Sequence, residues 1–309
     1  MNSLVSNTFE EEHFFLEFNQ RFLLKNTIKV LMMGDIIGRP GRKILKKLLP
    51  RMKKDFDVSF LTVNGENIAG GFGITEKIFL EIRALGVDAV TMGNHWKDKP
   101  EIHHMIPKYK ELVLPQNLDH VSGIPQFYEF YLESCKKTIN VINLMGNYAM
   151  GEGYLSPFLV LQNNKQLLAE KVKSGTHIVI ADIHAEATSE KQAIAWYFDG
   201  ILAGLIGTHT HTPTSDERLT SKGTAFLTDV GMTGGFESVV GMETKAVLTR
   251  FLTPKIKAPF QVAENDLWLC AFLLEIDPQT CLSVRCHRLQ FRENRRLWNT
   301  VSVLCPDVA

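Results

Sequence analysis

Short apolar runs that stop at a glycine or a polar residue recur along this chain, and they constrain its fold more than any other feature. Ile28–Met33 stops at Gly34-Asp35, Val58–Val63 at Asn64-Gly65-Glu66-Asn67, and Ala89–Met92 at Gly93-Asn94-His95. Ile139–Leu144 leads into Met145-Gly146, and His177–Ala181 into Asp182-Ile183-His184. Ala203–Ile206 leads into Gly207-Thr208-His209-Thr210-His211, and Ala225–Leu227 into Thr228-Asp229-Val230-Gly231. Runs of this kind, rich in Val and Ile, suit strands buried on both faces. Between them lie segments with apolar residues at helical spacing: Arg42–Lys54, Thr75–Leu85 and Ser189–Asp199. Thr75 is placed as an N-cap, and Gly86 as the glycine just past a helix end. Strand, helix and strand at roughly thirty-residue spacing form a βαβ series, which predicts an α/β fold with a mostly parallel sheet. After Phe260 the pattern becomes β-rich. Leu267–Ile276, the turn signal Asp277-Pro278-Gln279-Thr280 and Cys281–Leu289 predict an antiparallel hairpin near the sheet edge.

Composition sets the limits around that pattern. The 309 residues are 45% hydrophobic and 22% charged, globular values that exclude disorder, collagen-like repeats and coiled coil for the bulk of the chain. With no internal repeat and no low-complexity linker, one domain over residues 28–291 is expected. An N-terminal extension of unassigned role (1–27) precedes it, and a C-terminal tail (292–309) follows. Lys plus Arg and Asp plus Glu both number 34, so there is no basic surplus of the kind that nucleic-acid binding usually needs; the net charge does not support RNA as a partner and leaves it open only through a local basic patch. Five cysteines without a C-x-x-C pair fit a reducing compartment better than a disulfide framework or a zinc knuckle. The N-terminus, with Glu10, Glu11, Glu12 and His13, does not read as a secretory signal, and no run approaches a membrane span. The expected location is cytoplasmic.

The chemistry lies at the ends of the apolar runs. In open α/β sheets ligands bind outside the carboxyl ends of the strands. Asp35, Glu66, Asn67, Asn94, His184, His209 and His211 all stand at such ends. Taken singly, an Asp after a strand is ordinarily a helix cap, and a buried His a hydrogen-bonded core residue. Taken together, two carboxylates, two amides and three imidazoles on one edge describe a metal site. His209 and His211, at i and i+2 on an extended segment, would point to the same face and serve one centre. The set has no Cys or Met, and its oxygen and imidazole ligands suit iron, manganese or zinc. Seven ligands exceed the needs of one metal with an open position and suit two metals sharing a carboxylate. Two-metal sites about 3.5–4 Å apart activate a bridging hydroxide and stabilise in-line displacement at phosphorus. The departing oxygen then needs a proton donor, and His95, beside Asn94, is the candidate. Asp182 and Asp229 are placed to orient ligand histidines.

Six blocks of this sequence, taken in order, resemble the YmdB-type bacterial phosphodiesterases, a branch of the calcineurin-like metallophosphoesterases. They are Gly34-Asp35-Ile36-Ile37-Gly38, Asn64-Gly65-Glu66-Asn67, Gly93-Asn94-His95, the stretch from Asp182 to Lys191, Gly207-Thr208-His209-Thr210-His211 and the stretch from Thr228 to Gly234. The resemblance implies a four-layer α/β/β/α sandwich around two metal ions. It implies that Asp35, Glu66, Asn67 and His211 hold one metal and that Glu66, Asn94, His184 and His209 hold the other, with Glu66 bridging and His95 as proton donor. It further implies hydrolysis of 2′,3′-cyclic or 3′,5′-cyclic nucleotides, iron or manganese ahead of zinc, and a dimer or tetramer of identical chains.

The chain also departs from these patterns. The broad superfamily opens with Asp-x-His and follows with Gly-Asp-x-x-Asp. Here Asp35 is followed by Ile36-Ile37, and Asn64-Gly65-Glu66-Asn67 stands in the second place, as in the branch. The branch usually follows Gly-Asn-His with Thr-Trp-Asp-Lys, whereas this chain has Trp96-Lys97-Asp98-Lys99. The Asn147–Pro157 segment, with Met150-Gly151-Glu152-Gly153, differs from the usual aromatic-proline version. The basic run Arg42–Lys54 reads as a solvated helix face, and Gly70-Gly71-Phe72-Gly73 as a flexible loop beside the second ligand block. The resulting expectation is a metal-dependent phosphoric diester hydrolase acting on cyclic nucleotides. Two alternatives stay open: a phosphomonoesterase or nucleotidase with the same site, and a metal-binding regulatory protein with weak hydrolysis.

Overall fold

The computed structural model describes residues 23–119, 121–293 and 301–304. A first series comprises β1 (Ile28–Ile36), α1 (Gly38–Asp55), β2 (Val58–Asn64), α2 (Glu76–Ala84), β3 (Ala89–Thr91), α3 (Ile102–Met105) and β4 (Leu112–Val113). A second comprises β5 (Tyr128–Leu132), β6 (Lys137–Met145), α4 (Pro157–Lys173), β7 (His177–His184), α5 (Thr188–Tyr197), β8 (Gly204–Thr208), β9 (Arg218–Leu219) and β10 (Ala225–Leu227). The chain then returns with β11 (Met232–Gly235), α6 (Thr244–Leu252), β12 (Leu267–Ile276), β13 (Ser283–Arg292) and β14 (Val301–Leu304).

The apolar runs build two sheets, not one. The first has the order β14-β13-β12-β11-β1-β2-β3-β4, and the second β5-β6-β7-β8-β10-β9. Strands β1 to β4 are parallel, while β12, β13 and β14 pair antiparallel. In the second sheet β6, β7, β8 and β10 are parallel, with β5 and β9 antiparallel at the edges. The expected hairpin is β12–β13, and Thr75 caps α2 by accepting from the Ile78 amide at 3.4 Å. Helices α4 and α6 were not anticipated, although Ser156-Pro157 is an ordinary helix opening with proline in the first turn.

The pleat explains the layering. Along β1, Val30 and Met32 join a core shared with the second sheet, while Leu31 and Met33 join a separate core with Ile44, Leu45 and Leu49 of α1 and Phe79 of α2. Leu161 and Leu168 of α4 and Ile194 of α5 pack with the second sheet, and Phe60 of β2 meets Phe130 of β5 at 5.3 Å between the sheets. The order is therefore helices, sheet, sheet, helices: the four-layer α/β/β/α sandwich.

Residues 1–22 of the expected N-terminal extension, and 294–300 and 305–309 of the expected tail, lie outside the described residues. The Leu24 amide donates to Glu275 Oε2 at 2.6 Å, and Val301–Leu304 pairs with β13. No helix among the described residues is long and apolar enough to cross a membrane.

One glycine directs β1 toward the site. From Ile28 to Met33 the strand pairs with β12, and from Asp35 it pairs with β11. The exchange happens at Gly34, where an added Cβ would lie 1.8 Å from the Gly231 carbonyl oxygen. Gly34→Ala is therefore expected to destabilise the fold by about 1–3 kcal/mol. Urea unfolding should show this as a lower midpoint at unchanged slope.

Candidate metal centre

The carboxyl ends of β1, β2 and β3 from one sheet and of β7 and β8 from the other meet at one place. Asp35 and Glu66 are 0% and 1% exposed, and His184 is fully buried. Glu66 Oε1 lies 3.2 Å from His184 Nε2, and its Oε2 accepts from the His95 amide at 3.0 Å. His184 Nε2 is also 2.9 Å from Asn94 Oδ1 and 3.1 Å from His209 Nδ1. The Asn67 amide lies 2.9 Å from Glu66 Oε1 and 3.1 Å from His211 Nε2, and a flip of that amide would present its oxygen there. Two groups of donor atoms result, Glu66–His184–His209 and Asp35–Glu66–His211, each with its atoms within 4.8 Å of one another. All seven strand-end residues singled out in the sequence are thus brought together.

The two histidines of the His209-Thr210-His211 turn do not arrive as the sequence reading supposed. Strand β8 ends at Thr208, and His209 and His211 have φ of 99° and 62°. They converge through a left-handed turn, not through strand alternation. Such backbone costs on the order of 1–3 kcal/mol per residue and persists only where the surroundings fix it. Here the His209 amide donates to Asp35 Oδ2 at 3.2 Å, and the Thr210 amide and hydroxyl donate to Asp229 Oδ2 at 3.2 and 2.8 Å. Val240, a β-branched residue with φ of 48°, aims its carbonyl at His211 Nδ1, 2.8 Å away. That bond turns His211 Nε2 toward Asp35 Oδ1, at 3.7 Å.

Beneath the donors lies a layer of buried polar groups. Asp182 reaches His184 through an intermediary: Thr208 donates to Asp182 Oδ1 at 2.7 Å, and the same hydroxyl lies 2.9 Å from His184 Nδ1. That chain leaves Nε2 facing the pocket. Asp229 holds the backbone of the histidine turn and Lys191 instead of an imidazole. Lys191, 0% exposed, donates to the Thr208 carbonyl at 2.9 Å and to Asp229 Oδ2 at 3.0 Å. Sequence reasoning gave Lys191 and Thr208 no role, although both fall inside the blocks that carried the resemblance.

His95 stands at the rim, its side chain 31% exposed, with Nδ1 2.7 Å from Asp98 Oδ2 and its ring edge-on to Phe72. Asp98 was not assigned this part, and a carboxylate three residues after the histidine was the signal. In the departing loop, Trp96 is buried against His103, so its displacement leaves the His95–Asp98 pair intact.

Charge in the pocket is unevenly placed. Burial pushes the Asp35 carboxyl up to about 6, against the pull of His211 and His184. Burial would also raise Glu66, but the charge and hydrogen bond of His184 outweigh it and hold the carboxyl down at about 2. His184, which burial alone would lower, is carried up to about 9 by Glu66, Asp35 and Asp182, whereas burial and the His184 charge drive His209 down to about 3. A proton on His184 thus stands where the carboxylates call for a cation.

A metal fits this arrangement on two further observations. Oδ1 of Asp35 is buried with no hydrogen-bond donor among the described residues, and such an oxygen is costly to bury unpaired. Gly93 keeps the cradle open, since a Cβ there would lie 2.3 Å from Glu66 Oε2 and 2.4 Å from His184 Nε2. Carboxylate, amide and imidazole donors suit a divalent ion of the manganese, iron or zinc kind.

A four-layer sandwich with these donors at its strand ends defines a phosphoesterase. The chain belongs to the YmdB-like protein family, whose model matches residues 31–289. It is 40% identical over 267 residues to a 2′,3′-cyclic-nucleotide 2′-phosphodiesterase of Bacillus subtilis strain 168, covering 86% of this chain and 98% of that protein. Two crystal structures, each 32% identical, share its fold. A phosphatase from Mycoplasma pneumoniae matches with a TM-score of 0.78, over 88% of this chain and 96% of its own. A hypothetical protein from Thermus thermophilus matches with a TM-score of 0.77, over 86% of this chain and 100% of its own.

Lys191→Met leaves Asp229 buried without its cation and is expected to destabilise the protein by about 3–5 kcal/mol, the usual effect of breaking a buried pair. Chemical denaturation measures it, and a loss below about 1 kcal/mol, the range of an exposed pair, would show the contact to be incidental.

Proposed function

We propose that the protein is a phosphoric diester hydrolase that holds two divalent metal ions and opens 2′,3′-cyclic nucleotides at the 2′ ester, with residues 28–291 as its catalytic domain. The observation that carries this reading is the pair of donor groups sharing Glu66, one of them containing the unpaired Asp35 oxygen. The activity of the Bacillus relative supplies the substrate class. Asp35, Glu66, Asn67 and His211 would hold one ion, and Glu66, Asn94, His184 and His209 the other, with iron or manganese favoured over zinc. When bound, such ions supply Lewis-acid neutralisation of the charge on the phosphoryl oxygens.

The chain's own groups do the rest. Only two of the donors are anionic, so two divalent ions held there would leave a positive excess for an anionic diester. An ionised Asp98 can only accept, so His95 Nδ1 carries a proton toward it and the ring is fixed with Nε2 free. As water adds at phosphorus and the P–O2′ bond breaks, Nε2 of the protonated ring hands its proton to the departing 2′ oxygen, while Asp98 stabilises the imidazolium. Glu66 joins the two tasks, because the carboxylate proposed as bridge also anchors the His95 amide. Four free cysteines among the described residues, three of them buried, favour a cytoplasmic location. Phe251 and Leu252, 77% and 79% exposed, offer apolar surface for a homo-oligomer.

The test is metal content together with turnover. Protein prepared without chelators is expected to carry about two ions per chain and to open 2′,3′-cyclic esters faster than 3′,5′-cyclic esters or phosphomonoesters. Faster monoester turnover would move the reading to a nucleotidase, and loaded protein without turnover to a regulator. His95→Ala should keep its metals while kcat falls by about 10²-fold or more, as for loss of a general acid, and full activity would remove the assigned role. Glu66→Ala should lose both ions, and a variant retaining two would end the bridging assignment.

A further inference from the structure

The loop Gly70-Gly71-Phe72-Gly73 is more fixed than its composition suggests. The Gly71 amide donates to the Asn67 carbonyl at 3.1 Å, and the Ala69 amide to the Gly73 carbonyl at 3.0 Å. A Cβ on Gly71 would lie 2.9 Å from Met242 Cε, and one on Gly73 2.9 Å from Lys99 Cγ. The loop is thus wedged in place and presents Phe72 half-buried beside the site. Phe72 meets the His95 ring edge-to-face with centroids 5.0 Å apart, and meets Phe260 at 6.4 Å and 40°. Phe260, 40% exposed, carries the Arg250 guanidinium over its ring at 3.7 Å. The two phenyl rings are splayed and not stacked on each other.

We propose that Phe72 and Phe260 form the face on which the nucleobase of the substrate lies, so that the enzyme selects nucleoside cyclic phosphates over cyclic diesters that lack a base. The inference rests on the 2′,3′-cyclic nucleotide reading. In that substrate the departing 2′ oxygen sits on the carbon next to the one bearing the base. The group that protonates the oxygen therefore stands at the end of the sugar that carries the base, and the ring next to His95 is Phe72. The metal-site donors are all polar and give a base no apolar surface. Aromatic faces accept any base, because each base has a π face, so this surface distinguishes base from no base and not one base from another. Arg250, held by its Nε donating to the Ala258 carbonyl at 2.7 Å, lies over one face of Phe260 and adds a cation to the pair.

The test compares metal-loaded, full-length wild type with Phe72→Ala on adenosine 2′,3′-cyclic phosphate and on glycerol 1,2-cyclic phosphate, which keeps the strained ring and lacks the base. The ratio of kcat/KM for the nucleotide to that for the base-free ester should fall about tenfold, as for loss of one stacked base, with the change in KM. Phe72→Trp should restore the ratio and Phe72→Leu should not. Binding of adenosine 3′-monophosphate, followed by calorimetry, should weaken by the same factor relative to inorganic phosphate. Equal losses on both esters would make Phe72 only a support for His95, and an unchanged ratio would show that the base lies elsewhere; either overturns the proposal. A wild type that opens neither ester would instead remove the phosphodiesterase reading, and this inference with it.

Discussion

Asp182 is the constraint on which the rest of the site depends. It lies on β7, 1% exposed, in the apolar space between the sheets, where burial raises its carboxyl above the usual range. It accepts from Asn64 of β2 at 3.1 Å, from the Thr91 hydroxyl of β3, and from Thr208 of β8 at 2.7 Å. Donors from both sheets therefore converge on one acceptor, and a slide of one sheet past the other would leave several buried groups unpaired at once. Asn143 of β6 adds a second stitch, donating to the carbonyls of Met92 and Val113 at 2.7 and 2.9 Å. Apolar packing brings the sheets together without fixing their register. These polar contacts fix it, directly under the donors that must meet.

Strained backbone stands just above that layer. His209, His211 and Val240 all adopt left-handed backbone, and all three either supply a donor or orient one. What holds them is paired charge and hydrogen bonding in the buried layer: Lys191 on the Thr208 carbonyl, Asp229 on Thr210, and Asp35 on the His209 amide. Asp35 thus serves with one oxygen as a backbone acceptor, while no hydrogen bond among the described residues reaches the other. The strained turn and the unpaired oxygen are two consequences of one arrangement.

Much of this was legible in the sequence because strand ends are punctuated. An apolar run that stops at Gly-Asp, Asn-Gly-Glu-Asn or Gly-Asn-His gives both the strand and the place where its chemistry sits, and the β12–β13 hairpin was equally plain. That the runs divide between two sheets was not legible from periodicity, because a strand buried on both faces looks alike in either sheet; only the family resemblance implied it. The His-Thr-His spacing does mark the site, but the two imidazoles arrive through a left-handed turn instead of strand alternation, and they join two different donor groups instead of one centre. Val240 and Lys191 were invisible for another reason. Their effect depends on where a carbonyl or an ammonium points, which neither residue type nor spacing encodes.

The change from Thr-Trp to Trp96-Lys97 shows how the labour is divided. The indole is buried at 7% exposure against His103, while Asp98 keeps its 2.7 Å contact with His95. The loop can thus be rebuilt from within without disturbing the histidine it carries, because His95 is tied at its amide to Glu66 and at its ring to Asp98. Donors on strand ends are held by a buried network that tolerates little change, whereas the rim is assembled from turns anchored at a few points. In such a scaffold the rim loops can change with less disturbance of the buried layer than the strand ends can.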